Sequence, residues 1–226
     1  MTARSFFIAG TDTGIGKTHA SCALIHALRA RGLRATGMKP VASGCLPSLA
    51  GLISEDAQAL RAASSTPLPD YASSNPVALR EPLSPHLAAA HDGVAISLAP
   101  LRAAFDALCA THDAVVVEGV GGWRVPLSPG LYASEIPRAW QLPVIFVVGL
   151  KLGCLNHTLL SIEAIRADRC TLAGWIANRI DPAMDAVEEN LATLRERLPA
   201  PCLGVLPHGM APEAAASALD LAWLGV

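Results

Sequence analysis

Between the apolar run Ser5–Ala9 and a segment of helical period opening at Thr18 lies Gly10-Thr-Asp-Thr-Gly-Ile-Gly-Lys17-Thr18. A strand ending on glycine, a glycine-rich turn and a helix beginning with Lys-Thr together form the context in which backbone amides wrap an anion. Five residues separate Gly10 from Gly16-Lys17-Thr18, one more than in the G-x-x-x-x-G-K-[ST] pattern, but the mechanics carry over. Gly14 and Gly16 let the main chain curl so that consecutive N–H groups face one point. Lys17 brings a compact ammonium to the outer phosphates, and the Thr18 hydroxyl is placed to hold magnesium. Such a loop demands a sheet whose strand ends and helix amino termini share one edge, so it constrains the fold more than any other stretch.

The rest of the chain agrees. Short apolar runs at Ser5–Ala9, Thr36–Met38, Ala114–Val117, Val144–Val148, Leu172–Ala177 and Leu203–Leu206 read as strands buried on both faces. Helical patterns fill the gaps at Thr18–Ala30, Glu55–Ala63, Leu98–Ala110, Asn156–Ala167, Met184–Arg197 and Glu213–Leu224. Pro67, Pro69, Pro76, Pro82 and Pro85 mark an irregular crossing from 67 to 85. No internal repeat or linker is visible. The expectation is one α/β domain over 1–226, a P-loop NTPase-like fold with a mostly parallel sheet and helices on both faces.

Composition narrows the function. With 52% hydrophobic and 16% charged residues the chain is globular, and a net charge of -2 supplies no basic field for a nucleic acid. The amino-terminal apolar run is too short for a signal peptide, and Leu142–Leu150, interrupted by Pro143, is too short to span a bilayer. Cys22, Cys45, Cys109, Cys154, Cys170 and Cys202 contain no Cys-x-x-Cys pair, which argues against zinc and for buried thiols in a reducing compartment. A cytoplasmic protein acting on small molecules, without membrane or nucleic-acid partners, is expected.

Of seventeen basic residues only Lys17, Lys39 and Lys151 are lysine, and each follows an expected strand, as sites needing a compact ammonium would. Lys39-Pro-Val-Ala-Ser43-Gly44 is not a nucleotide-binding pattern. It sets an ammonium and a hydroxyl beside the phosphate loop, where a charge at about 4 Å from a developing anion contributes roughly 4 kcal/mol before desolvation. Ala114-Val-Val-Val-Glu118 ends an apolar strand on a carboxylate suited to a nucleotide-bound magnesium, and Gly119-Val-Gly121-Gly122 follows. Asp56 in Ser54-Glu-Asp56 reads by spacing alone as an acidic first-turn residue favoured by the helix dipole. The amides of Lys151-Leu-Gly153-Cys154-Leu-Asn156 could receive a carboxylate. His157 reads as structural.

Taken together, these loops resemble dethiobiotin synthetase, an ATP-dependent cyclo-ligase family of biotin biosynthesis. The resemblance rests on Gly10-Thr-Asp-Thr with Gly16-Lys17-Thr18, Lys39-Pro-Val-Ala-Ser-Gly44, Glu118-Gly-Val-Gly-Gly-Trp123 and Val148-Gly-Leu-Lys-Leu-Gly-Cys-Leu-Asn-His157. It implies ATP and Mg2+ as cofactors, with 7,8-diaminopelargonate and CO2 as substrates. ATP would be bound by Gly14, Ile15, Gly16, Lys17, Thr18 and His19, and by Asp56, Glu118, Gly119, Val120 and Gly121. The adenine side would fall on Asn178, Arg179, Pro207, His208, Gly209 and Glu213. Magnesium would be held by Thr18, Asp56 and Glu118. The resemblance further implies that Lys39 and Lys17 are catalytic, that Ser43 binds substrate, and that the Gly153, Cys154, Leu155 and Asn156 turn, beside Lys151, receives its carboxylate across a homodimer interface. Gly14 stands where some members carry an acid, and Arg124 to Trp140 follows the family pattern loosely.

Two other readings share the loop style. A switch or partition ATPase usually begins the loop with Lys-Gly-Gly, but Asp12 holds the position of that lysine. A GTPase would read guanine through Asn-Lys-x-Asp, and Asn178-Arg-Ile-Asp181 offers arginine in place of lysine.

Overall fold

The computed structural model describes residues 3–226. Six strands form its central sheet: β1 (Arg4–Gly10), β2 (Ala35–Met38), β3 (Ala114–Glu118), β4 (Val144–Gly149), β5 (Leu172–Asn178) and β6 (Cys202–Leu206). Their order is β6-β5-β4-β1-β3-β2, and every neighbouring pair is parallel. The register sets Phe7 beside Val144 on one side and beside Val117 on the other.

Helices α1 (Lys17–Ala30), α2 (Glu55–Ala63), α3 (Pro85–Asp92), α4 (Leu98–Thr111), α5 (Glu135–Trp140), α6 (Cys154–Ala167) and α7 (Val187–Arg197) cover both faces. Because side chains alternate along a strand, each strand feeds two cores. Phe6, Ile8, Val116, Ile145, Val147 and Ile176 pack with Leu24 and Leu28 of α1, Leu60 of α2, and Leu219 and Leu221 near the carboxyl terminus. Phe7, Val115, Val117, Phe146 and Trp175 pack on the opposite face with Leu101 and Phe105 of α4, Trp140 of α5, Ile162 of α6 and Leu191 of α7. Each fully buried Leu, Ile or Phe contributes about 1.5–3 kcal/mol.

Expected strands and helices recur with shifts of a few residues, but α3 and α5 match no expected helix, and other regions depart as well. The 67–85 crossing contains a helical turn at Tyr71–Ser74 and a two-residue strand, Val77–Ala78, paired in parallel with Val41–Ala42. Two hairpins, Leu46–Ser48 with Gly51–Ile53 and Pro126–Ser128 with Leu131–Tyr132, stand outside the sheet. The expected helix Glu213–Leu224 is broken into one-turn pieces, Pro212–Ala215, Ala216–Ala218 and Ala222–Leu224. The break falls where Asp220 N–H donates to the Leu203 carbonyl at 2.7 Å and the Asp220 carboxylate accepts from Ala222 N–H at 3.0 Å. These bonds replace the helical ladder.

The strand order also places the site. β1 lies between β3 and β4; the connection from β1 to β2 runs to one side of the sheet and that from β3 to β4 back to the other, so the strand order reverses beside β1 and a crevice is expected at its carboxyl end. Adjacent strands β1, β3 and β2 end on Gly10, Glu118 and Met38, delivering the phosphate loop, Glu118 and Lys39 to one edge.

Candidate active site

The phosphate loop is built mostly from backbone. Gly14 and Gly16 both take positive φ, 74° and 81°, and Gly16 caps α1 without any side-chain hydrogen bond. The first amides of that helix therefore remain available to an anion. Gly16 is also pressed against β5: a Cβ there would lie 2.0 Å from Nδ2 of Asn178, which donates to the Ile15 carbonyl at 3.0 Å. Ile15 is fully buried and anchors the loop in the core. Lys17 is 6% exposed and donates to the Asp12 carbonyl at 2.6 Å. Burial, then the Lys39 ammonium nearby, brings its pKa down to about 8, and a phosphate beside it would favour the charged form.

Next to the loop sits a cluster of opposite charges. Thr18 Oγ1 lies 2.8 Å from Asp56 Oδ1 and 2.9 Å from Glu118 Oε1. Lys39 Nζ lies 2.6 Å from Glu118 Oε1 and 2.7 Å from Asp56 Oδ2. Lys39 is 4% exposed and Glu118 1%. Burial opposes the charged form of Lys39, but the attraction of Glu118 and Asp56 together outweighs it and holds the ammonium above its ordinary pKa. Burial likewise works against the Asp56 carboxylate, and Lys39 with the Thr18 hydroxyl overcomes it to keep the acid below its usual range. Glu118 Oε2 is buried and has no hydrogen-bond partner. Two carboxylates and a hydroxyl, with one carboxylate oxygen unsatisfied, form a hard oxygen set that fits a magnesium ion whose remaining ligands come from phosphate and water.

A cavity of about 630 Å³ joins these groups. Gly14, Gly16, Lys17, Thr18, Lys39, Ser43, Asp56, Glu118, Val120 and Gly121, all singled out in the sequence, line it. Pro82, Leu83, Ser84 and Pro85 line it as well, and sequence reasoning missed them. They form a strap tied down by Gly44 N–H donating to the Glu81 carbonyl at 2.9 Å. Gly44, at φ 74°, faces Pro82 so closely that an added Cβ would sit 3.2 Å from its Cβ. The available signal was the Pro-x-x-Pro spacing after Glu81, which reads only as a break in helix.

The remaining expected site residues do not line this cavity, and Glu213 belongs to a separate one. His19 follows Thr18 on α1, and its buried Nε2 has no partner. Gly119 sits at the end of β3, its carbonyl 3.4 Å from Lys39 Nζ. Arg179 N–H donates to Leu206, and its guanidinium lies 3.7 Å from Glu188. His208 Nδ1 is 3.0 Å from the Arg179 carbonyl, so Pro207-His208-Gly209 closes against the end of β5. Glu213 is exposed and lies by His26 and Arg29, nine residues along α1 from Lys17 and so about 13 Å down the helix. Lys151 lies 3.9 Å from Asp12, linking its turn to the phosphate loop. Gly153 caps α6 at φ 93°. Cys154 is 1% exposed and its N–H donates to the Lys151 carbonyl at 3.0 Å, so neither its thiol nor its amide stands free for the ligand contact expected of it.

A family model described as an AAA domain matches residues 4–213. The ATP-dependent dethiobiotin synthetase BioD of Xanthomonas euvesicatoria pv. vesicatoria is 56% identical over 217 residues, covering 96% of both chains. Its counterpart from Xylella fastidiosa strain 9a5c is 56% identical over 208 residues, 92% of each. Among solved structures, chloroplast FtsY from Physcomitrella patens matches with a TM-score of 0.53 at 17% identity, over 94% of this chain and 61% of that one. Signal recognition particle receptor FtsY from Elizabethkingia anophelis in complex with GDP matches at 0.54 and 15%, over 94% and 59%. The chain thus spans about three fifths of the FtsY structures, and at such identity they share its fold alone.

Proposed function

The chain belongs to the ATP-dependent dethiobiotin synthetase family, and on that premise we propose that it closes the cyclic urea of dethiobiotin from 7,8-diaminopelargonate, CO2 and ATP. The observation that carries this is Lys39. It comes from a loop foreign to nucleotide binding, yet its ammonium shares both carboxylates with the Thr18 hydroxyl, in the same cavity as Lys17.

One amine of the diamine adds to CO2 and loses a proton, giving a carbamate. A carbamate oxygen attacks the γ-phosphorus of ATP, and the bond to the β-phosphate oxygen breaks to release ADP. The second amine then attacks the carbamoyl carbon, loses its proton and expels inorganic phosphate, closing the ring. Lys17 and the amides of Gly16 to Thr18 hold the phosphates. Lys39 stands where negative charge grows on the transferring group, an electrostatic role of the kind worth about 10²–10³ in rate. Ser43 orients the diamine from the same loop. Thr18, Asp56 and Glu118 would hold Mg2+, which neutralises phosphate charge when bound. Holding carbamate and phosphate face to face supplies proximity, which reaches about 7–11 kcal/mol in favourable cases. Asn178, Arg179, Pro207, His208 and Gly209 shape the adenine side, with Glu213 furthest from the phosphates.

The chain acts as one catalytic unit and pairs as a homodimer. Leu152 is 96% exposed and Leu160 58%, flanking the Gly153 to Asn156 turn, and a second copy covering them would bring that turn to the partner's substrate. Six free thiols favour a cytoplasmic setting, and no helix among the described residues is long and apolar enough to cross a membrane.

Phosphate release from MgATP with bicarbonate, measured with and without the diamine while dethiobiotin is followed by mass spectrometry, tests the reading. Diamine-dependent release matched by dethiobiotin is expected. Hydrolysis indifferent to the diamine would return the chain to the switch ATPases.

A further inference from the structure

Lys39 and Asp56 are joined a second time, behind the cavity, through residues that touch neither phosphate nor metal ligands directly. The Asn75 side chain is buried, 3% exposed, and its Nδ2 donates to the Lys39 carbonyl at 2.7 Å and to the Val77 carbonyl at 3.2 Å. Two carbonyls on one side fix the orientation of the amide, so its Oδ1 is the acceptor. That oxygen accepts the Tyr71 hydroxyl at 3.1 Å. The Tyr71 oxygen in turn accepts the Ser54 N–H at 2.7 Å. Ser54 is the cap of α2, its hydroxyl accepting Ala57 N–H at 3.3 Å, and Asp56 stands in the first turn of that helix. Asp56 Oδ2 then meets Lys39 Nζ at 2.7 Å, closing a ring.

The two amide protons of Asn75 go to the Lys39 and Val77 carbonyls, the Tyr71 hydroxyl proton to Asn75 Oδ1 and the Ser54 N–H to the Tyr71 oxygen, so one proton arrangement satisfies this stretch of the ring. Such a network admits one geometry and resists others. It is buttressed on both sides. Lys39 N–H donates to the Ser74 carbonyl at 2.7 Å, and Arg61 of α2 lies over the Tyr71 ring at 5.7 Å.

We infer that Tyr71 and Asn75 are positioning residues, fixing the main chain of Lys39 relative to the α2 cap so that the ammonium and the Asp56 carboxylate keep their separation. This rests on the reading of Lys39 as catalytic. The turn Tyr71–Ser74 thus sets the geometry of the site from outside the cavity, and two residues after Asn75 the strand Val77–Ala78 begins its short pairing with Val41–Ala42.

The test is a mutant cycle on the full chain using Tyr71→Phe, Lys39→Gln and the double variant, with turnover, KM for ATP and melting temperature measured for each. Tyr71→Phe keeps the ring under Arg61 and removes only the hydroxyl. It is expected to lower kcat about tenfold with KM for ATP within about twofold of wild type, because a buried N–H and a buried carbonyl lose their partner. In the Lys39→Gln background the same change is expected to cost less than about twofold, since the ammonium it positions is gone. Asn75→Asp, which turns an acceptor toward the Lys39 carbonyl, is expected to show the same kcat loss. An equal loss in both backgrounds, or activity that falls only in step with the folded fraction, would overturn the inference. Lys39→Gln at wild-type turnover would sink the reading of Lys39 itself, whereas an impaired Lys39→Gln beside an unimpaired Tyr71→Phe would sink only the positioning role.

Discussion

Residues 10–18 line the cavity and residues 71–85 shape it, from behind at Tyr71 and Asn75 and at its wall from Pro82 to Pro85, by different means. The first region presents main-chain amides shaped by glycine and held by side chains on its carbonyls, Asn178 on Ile15 and Lys17 on Asp12. The second presents prolines and a buried asparagine, with hydrogen bonds running back to the loop from Lys39 to Gly44. An amide cradle is indifferent to what lies beyond the phosphates, so it suits a cosubstrate common to many reactions. A strap of Pro82 to Pro85 with Ser43 and Lys39 opposite differs in shape with each sequence, so it suits the substrate that only this reaction uses. Removal of one region should therefore spare ligand recognition by the other.

The largest effect is expected at the junction. Lys39→Gln should reduce turnover by about 10²–10³ while ATP affinity, measured with a fluorescent nucleotide, changes only a few-fold. Equal loss of both would erase the distinction between the regions. Gly16→Ala comes next, because it forces an alanine to φ 81° and drives its Cβ to 2.0 Å from Asn178. The backbone term alone is about 1–2 kcal/mol, so ATP affinity should fall by about tenfold or more. Asn178→Ala in the same chain should recover part of that loss in a calorimetric titration.

Gly44→Ala tests the other side more gently. Its Cβ would crowd Pro82 at 3.2 Å and its φ of 74° is left-handed, so KM for the diamine should rise about threefold to tenfold with ATP affinity unchanged. A parallel rise in both constants would show that the strap and the phosphate loop move together. The smallest effect concerns pH. Burial, with Arg29 adding to it, depresses His26 of α1 below its ordinary 6.5, and Glu213 only partly opposes this. The unfolded chain therefore takes up protons first as pH falls through 6.5, and stability complete above that value declines below it. Between pH 7.5 and 5.5 this group should lower the melting temperature by at most about 2 °C, with hydrogen exchange quickening in α1 before it does in 71–85.

Much of the fold was legible because its cause is local. Apolar runs buried on both faces mark β1 to β6, and Gly16-Lys17-Thr18 states its own geometry. Lys39, Ser43, Asp56 and Glu118 do meet in one cavity, and Asp56 shows why spacing fell short: its role comes from Lys39 at 2.7 Å, not from its helix. Tyr71, Asn75 and the 82–85 strap were illegible for the same reason. Their partners lie across the chain, and their prolines signal only what a helix cannot do. The expected carboxyl-terminal helix is broken where Asp220 N–H reaches the Leu203 carbonyl and its carboxylate accepts from Ala222 N–H, contacts that no periodicity announces.

Ile15 and Asn178 are 163 residues apart, and this distance sets an order in time. Polypeptide leaves a ribosome at about 5–20 residues per second, so the loop that grips phosphate waits about 10–30 s for its clamp to be made. A nascent chain stopped before β5 would carry every residue of the Gly10 to Thr18 motif and still hold nucleotide poorly. The phosphate loop is thus complete in sequence long before it is complete in structure, its clamp arriving only with β5.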